Sequence, residues 1–266
     1  MALTTASKTG LLRGSGIGSK GNTEVRGGKS AEYFRYFGNI FLTMHESHSR
    51  FYSHHLGHHV DILKFGTRGY PVVVFPTTLG RYYEAKDFGL IDSVRWFVEQ
   101  GLVQIYCPDS VNHASWYGDV HPAERVRRHI RYDQFLYHEF IPQIRWDTGT
   151  GRIVATGASF GGFSAANFAF RHPEYVSHLF CMSASFDITS FMHGYYDNDV
   201  YFNNPVDFVP SLNHPDIWRM KIILGTSEWD ICREYNYQFS QILNNKGISH
   251  WLDVRGWIKH DWPLWQ

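Results

Sequence analysis

The chain of 266 residues has little net charge to work with: 25 lysines and arginines stand against 25 aspartates and glutamates. Without a net field, binding driven by phosphate neutralisation or by an anionic membrane surface is disfavoured, so neither nucleic acid nor membrane is expected as a partner. A small, neutral substrate fits better. Cysteine is scarce as well. Cys107, Cys181 and Cys232 are an odd number, two of them lie in apolar runs, and no spacing resembles a zinc ligand set, which excludes a disulfide framework and points to reduced thiols and a cytoplasmic setting. No apolar run is long enough for a membrane span or a signal-peptide core, so a soluble protein is expected. The first thirty residues lack acids: Lys8, Arg13, Lys20, Arg26 and Lys29 face only Glu24 in a stretch rich in glycine, serine and threonine. That composition reads as a flexible basic tail over residues 1–30, with an organellar transit segment as the alternative.

What is present is an apolar content of 43% with 17% aromatics, enough to fill the core of one α/β domain over residues 31–266. Short apolar runs alternate with helical patterns. Val60 to Phe65 and Pro71 to Phe75 read as neighbouring strands joined by a glycine turn, and a helix around Phe88 to Gln100 precedes a strand from Leu102 to Cys107. A long helical pattern spans about Pro122 to Ile144. Strands follow at Arg152 to Thr156, His178 to Met182, Met220 to Leu224 and Ser249 to Val254, with a helix from Glu234 to Asn245 before the last. The alternation predicts a mainly parallel sheet with helices on both faces. Residues 186–218 break it with an aromatic-rich insertion, expected to line a pocket or to cover the sheet.

Gly157-Ala158-Ser159-Phe160-Gly161 is a G-x-S-x-G segment placed between a predicted strand and a helix-prone stretch. That context predicts a nucleophile elbow, in which a serine sits on a strained turn and the glycines let strand and helix close on each other. The partners of such a serine follow in the order acid, then histidine, on loops after later strands. Of sixteen histidines only His250 and His260 lie far enough along; His250 falls inside a strand pattern, so His260 is expected to be the general base. Asp230 is the expected acid, with Glu228 and then Asp187 as alternatives. The oxyanion donors are expected to be the backbone N–H groups of Phe160 and of Thr78, with Leu79 as the fallback for the second. Trp116, in a loop with Asn112 and Tyr117, is expected to wall the substrate pocket or simply to pack that loop. His45, His48, His54, His55, His58 and His59 crowd one stretch, but no cysteine accompanies them and carboxylates are few, so a polar edge is expected and no metal. No cofactor is expected.

The segments Val74-Phe75-Pro76-Thr77-Thr78-Leu79-Gly80-Arg81-Tyr82-Tyr83-Glu84, Gly157 to Gly162, and His260-Asp261-Trp262-Pro263-Leu264-Trp265 together resemble the esterase family of α/β hydrolases that includes S-formylglutathione hydrolase, feruloyl and acetylxylan esterases and the mycolyltransferases. The resemblance runs from about His54 to the C-terminus, and the H-D-W-P-x-W ending is its more distinctive part. It implies the α/β-hydrolase fold, Ser159, Asp230 and His260 as a triad, and a carboxylic-ester or thioester substrate. No cysteine pair or sugar-binding signature places the chain in a subgroup. Ester hydrolysis through an acyl-enzyme is therefore the expected activity; acyl transfer to an alcohol or sugar, or a binding protein on the same scaffold, are the alternatives.

Overall fold

The computed structural model describes residues 44–266; the basic segment 1–30 and the start of the expected domain, up to residue 43, lie outside the described residues. Eight strands form one sheet: β1 (Glu46–Ser53), β2 (His58–Phe65), β3 (Tyr70–Phe75), β4 (Val103–Pro108), β5 (Ile153–Ala158), β6 (Val176–Met182), β7 (Lys221–Trp229) and β8 (His250–Lys259). Their spatial order is β1-β2-β4-β3-β5-β6-β7-β8. β2 runs antiparallel to both β1 and β4, and every other pairing is parallel.

That order corrects one expectation. β2 and β3 follow each other in sequence but are not neighbours, because β4 lies between them. The linker steps across the start of β4, where Tyr70 N–H donates to the Leu102 carbonyl at 2.8 Å. Gly69 takes φ +105° there, and a Cβ on it would strike the Leu102–Val103 backbone.

The helices are α1 (Glu84–Asp87), α2 (Leu90–Ser93), α3 (Arg95–Glu99), α4 (Pro122–Phe135), α5 (Ile141–Thr148), α6 (Phe160–Arg171), α7 (Asn198–Tyr201), α8 (Pro205–Phe208), α9 (Arg233–Asn245) and α10 (Trp262–Trp265). The single helix expected near residues 88–100 starts only after Gly89, at φ +83°, and is broken into α2 and α3 at Val94, whose φ of −110° lies outside helical geometry. The long pattern from Pro122 to Ile144 is one rod, widened to a π-helical turn at Leu136–Phe140 just before Pro142. A proline there lacks an N–H and its ring crowds the carbonyl four residues back, and the wider turn gives it room.

One face of the sheet packs against α4, α5, α6 and α9 through side chains such as Val73, Ala155, Leu179, Phe168 and Phe239. The opposite face meets α1 to α3 through Val74, Ile91, Val98 and Ile105. β5 is buried along its whole length, which explains its unbroken apolar run, whereas β8 closes one edge of the sheet and is largely exposed. β1, polar and largely exposed, carried no strand signal and closes the other edge. Residues 186–218 form short turns, α7 and α8. Most of their aromatics cover the core rather than line an opening: Phe186 is buried and stacked on Phe239, with centroids 4.0 Å apart.

That stack fastens the insertion to α9. Phe239→Ala should cost about 3 to 5 kcal/mol and lower the thermal midpoint by about 10 °C. Calorimetry of the variant checks this, and a midpoint within about 2 °C of wild type would contradict it.

Candidate active site

Every expected site residue sits at the carboxyl ends of the parallel strands, where α/β sheets place their sites. Ser159 follows β5, Asp230 follows β7 and His260 follows β8. The loop bearing Thr78 follows β3, which pairs with β5.

The turn at Ser159 is tight for a stated reason. Ser159 adopts φ +53° and ψ −120°, a conformation strongly disfavoured for any residue with a side chain, and its N–H is anchored to the Met182 carbonyl at 2.8 Å. A Cβ on Gly157 would lie 2.9 Å from Gly161 Cα and closer still to its carbonyl group. One on Gly161 would lie 2.8 Å from the Pro76 carbonyl oxygen and nearer that of Phe75. Both glycines are thus required for α6 to approach β5 and β3 closely enough to lift the serine out of the sheet.

Ser159, His260 and Asp230 are brought together although they are 101 and 30 residues apart along the chain. His260 Nε2 lies 2.9 Å from Ser159 Oγ, and His260 Nδ1 lies 2.6 Å from Asp230 Oδ1. Asp230 also accepts from the Cys232 N–H at 2.9 Å and the Thr226 hydroxyl at 2.7 Å. Burial alone would raise its pKa, but hydrogen bonds from His260, Ser183, the Cys232 N–H and Thr226 outweigh burial and hold it at about 2. An ionised Asp230 can only accept, so the imidazole carries its proton on Nδ1 and turns the lone pair of Nε2 toward the serine. β7 and β8 make this possible by running past their neighbours: they stay paired as far as Trp229 and Lys259, which delivers acid and histidine to the same height.

The competing candidates have other partners. Glu228 pairs with Arg233 at 3.0 Å, Asp187 accepts from the Thr189 N–H at 2.8 Å and from Asn204, and His250 contacts Ser240 Oγ at 2.7 Å on the edge strand. Asp230, Cys232 and His260 form the one cluster of three possible metal-binding side chains among the described residues. Burial, and then Asp230, push the Cys232 thiol up to about 12. The histidines of β1 and β2 do not converge. His48 pairs with Asp61, His55 stacks on His138, and His54 and His59 pack on Tyr52.

Thr78 is exposed and Phe160 opens α6; among the described residues neither backbone N–H has a backbone acceptor. Tyr117 touches both residues: its ring packs edge-on against Phe160 with centroids 5.7 Å apart, and its hydroxyl lies 3.4 Å from Thr78 Oγ1. Leu79, the fallback donor, takes φ +55° with its side chain half exposed.

Trp116 does not wall the site. It is 1% exposed and packs among His129, Phe163 and Phe191 behind Tyr117, which faces the site in its place. The larger apolar ring of the pair is the one that gains more from burial. The sequence reading also missed Ser183, whose hydroxyl helps to lower the pKa of Asp230 and accepts from Trp265 Nε1 at 2.9 Å. The ring of Trp265 meets His260 edge-on at 5.1 Å, so the last tryptophan of the H-D-W-P-x-W segment braces the histidine and, through Ser183, the acid. Beside His260 an open depression of about 620 Å³ is lined by Trp229, Ile231 and Lys259.

Sheet order, elbow and strand-end site define an α/β hydrolase. Residues 97–262 match the family described as "Putative esterase", and the chain belongs to that family. Solved structures agree on the fold. A ferulic acid esterase superposes with a TM-score of 0.68 at 20% identity, covering 84% of this chain and 93% of its own. S-formylglutathione hydrolase from Staphylococcus aureus gives 0.64 at 14%, covering 84% and 92%, and MPT51 from Mycobacterium tuberculosis 0.62 at 15%, covering 82% and 93%. Among curated protein sequences there is no match. No helix among the described residues is long and apolar enough to cross a membrane.

Two predictions follow from this geometry. Gly161→Ala should fail to accumulate as folded protein or lose its cooperative unfolding transition, read by circular dichroism. Because the folded pKa of Asp230 lies below its unfolded value, its contribution to stability is present above about pH 4 and is lost as pH falls toward 2. The stability difference between wild type and Asp230→Asn in urea melts should therefore shrink across that window.

Proposed function

We propose that the protein is a serine esterase that cleaves a small carboxylic ester through an acyl-enzyme, with Ser159 as nucleophile, His260 as general base and acid, and Asp230 as the orienting carboxylate. The observation that carries this reading is the unbroken hydrogen-bond chain Asp230–His260–Ser159. Ser159 Oγ attacks the carbonyl carbon as its proton passes to Nε2, and Asp230 stabilises the imidazolium that results. The carbonyl oxygen, now negative, is received by the Phe160 and Thr78 N–H groups. Collapse of the adduct expels the alcohol, which takes the proton from His260. Water then attacks the acyl group with the same imidazole as base, releasing the acid and restoring the serine.

This chemistry draws on side chains and backbone alone, without a cofactor. A cytoplasmic setting belongs to the same proposal and is supported by three cysteines that are free and buried. Transfer to an alcohol acceptor is the second reading, favoured by the exposed Trp229, Ile231 and Trp257 on the open side of His260. Adding acceptor alcohols to the assay and measuring the partition between acid and new ester separates the two.

Ser159→Ala should lower turnover of a short-chain aryl ester by about 10⁵-fold or more, and Asp230→Asn by about 10⁴-fold, while Glu228→Gln stays near wild type. Wild-type protein should be labelled at Ser159 by a fluorophosphonate. A Ser159→Ala variant that retains its rate, or a wild type that takes no label, would remove the proposal.

A further inference from the structure

The loop after β3 is held from beneath by a buried carboxylate. Glu84, the first residue of α1, is 8% exposed, and both of its oxygens are given to one residue: one accepts the Thr77 N–H and the other the Thr77 hydroxyl at 3.0 Å. Gly80 lies so close above that a Cβ there would overlap the carboxylate. The Gly80 N–H in turn donates to the Thr77 carbonyl at 3.0 Å, closing a tight turn whose third residue, Leu79, has φ +55°. A trans peptide is planar with N–H opposed to C=O, so a Thr77 carbonyl pointing into the turn directs the Thr78 N–H out of it. From the far side, Asp109 fixes the loop exit by accepting from Arg81 Nε at 2.9 Å and the Tyr82 N–H at 3.3 Å.

Such a carboxylate is expensive for the fold. Burial raises the pKa of Glu84 against the Thr77 hydrogen bonds, nearby Asp109 raises it further, and among the described residues no cation pairs with it. A buried acid without a cation stabilises little by itself. What it secures is Thr77 itself, through the N–H of the Pro76–Thr77 peptide and the Thr77 hydroxyl, and it is from Thr77 that the Thr77–Thr78 peptide continues.

We propose that Glu84 is a positioning residue for the oxyanion hole, holding the Thr77–Thr78 peptide so that the Thr78 N–H meets the developing oxyanion. The proposal rests on the reading of Ser159 as nucleophile and Thr78 as donor. It is tested with Glu84→Ala, Glu84→Asp and Glu84→Gln, each assayed for kcat and KM on an aryl acetate and for inhibition by an aryl trifluoromethyl ketone. The ketone adds to a serine and carries the oxyanion, so its affinity reports on the hole, whereas KM reports on the ground state.

Glu84→Ala should lose about 100-fold in kcat with KM changed by less than about threefold, and the inhibition constant should rise by a similar factor. Glu84→Gln, whose amide can still accept from the Thr77 N–H, should recover most of both. If Glu84→Ala does not fold, Glu84→Asp takes its place, because it keeps the charge but withdraws it by one methylene. A folded Glu84→Ala or Glu84→Asp with wild-type kcat, or with reduced kcat but unchanged ketone affinity, overturns the proposal. A wild-type enzyme that neither binds the ketone nor takes a fluorophosphonate label at Ser159 overturns the underlying reading instead.

Discussion

The close approach of α6 to the ends of β5 and β3 is the constraint on which the rest of the site depends. It requires glycine at 157 and 161, sets Ser159 at positive φ, and leaves the Phe160 N–H at the start of a helix without a backbone acceptor. Because Gly161 packs against the carbonyls of Phe75 and Pro76, the same contact brings the loop after β3 alongside the elbow. A strained serine is costly unless its surroundings over-determine it. Here β5, buried along its length, and α6, with ten of its twelve residues buried, supply that rigidity.

The other half of the site is assembled from the opposite direction. β7 and β8 continue as a paired ribbon past the end of β6, so that Asp230 and His260 arrive opposite the serine. Ser183, at φ +53° above the end of β6, and Trp265, in the final turn, are joined by a hydrogen bond, and the Trp265 ring packs against His260. The depressed pKa of Asp230 follows from this convergence of donors, which exceeds the penalty of burial. An acid that is ionised at neutral pH keeps the imidazole in the tautomer that leaves Nε2 free to accept a proton.

Much of the architecture was legible from local pattern. β5 and the elbow stand out because a fully buried strand needs an apolar run and a sharp strand-to-helix turn needs small residues. The order of strands was less legible, since β2 and β3 share a short linker and only long-range hydrogen bonding reveals β4 between them. β1 escaped notice because an edge strand facing water need not be apolar. Trp116 and Tyr117 were indistinguishable as neighbours in one loop, and which ring turned inward depended on the space left by His129 and Phe163. Glu84 sat within a quoted segment without a role, as its function lies in what it accepts rather than in any spacing.

By itself the sequence singled out Ser159, His260 and, ahead of Glu228 and Asp187, Asp230 as the candidate side chains, because glycine requirements, chain order and strand-end position can be read along the chain. Only the tertiary structure decided which side-chain groups surround them: Ser183 and Trp265 behind the acid, Tyr117 against the side chains of Phe160 and Thr78, and Glu84 beneath Thr77. The reason is physical. A turn records its conformation in the residues that form it, whereas a hydrogen bond between distant segments records nothing in either until the core has brought them together.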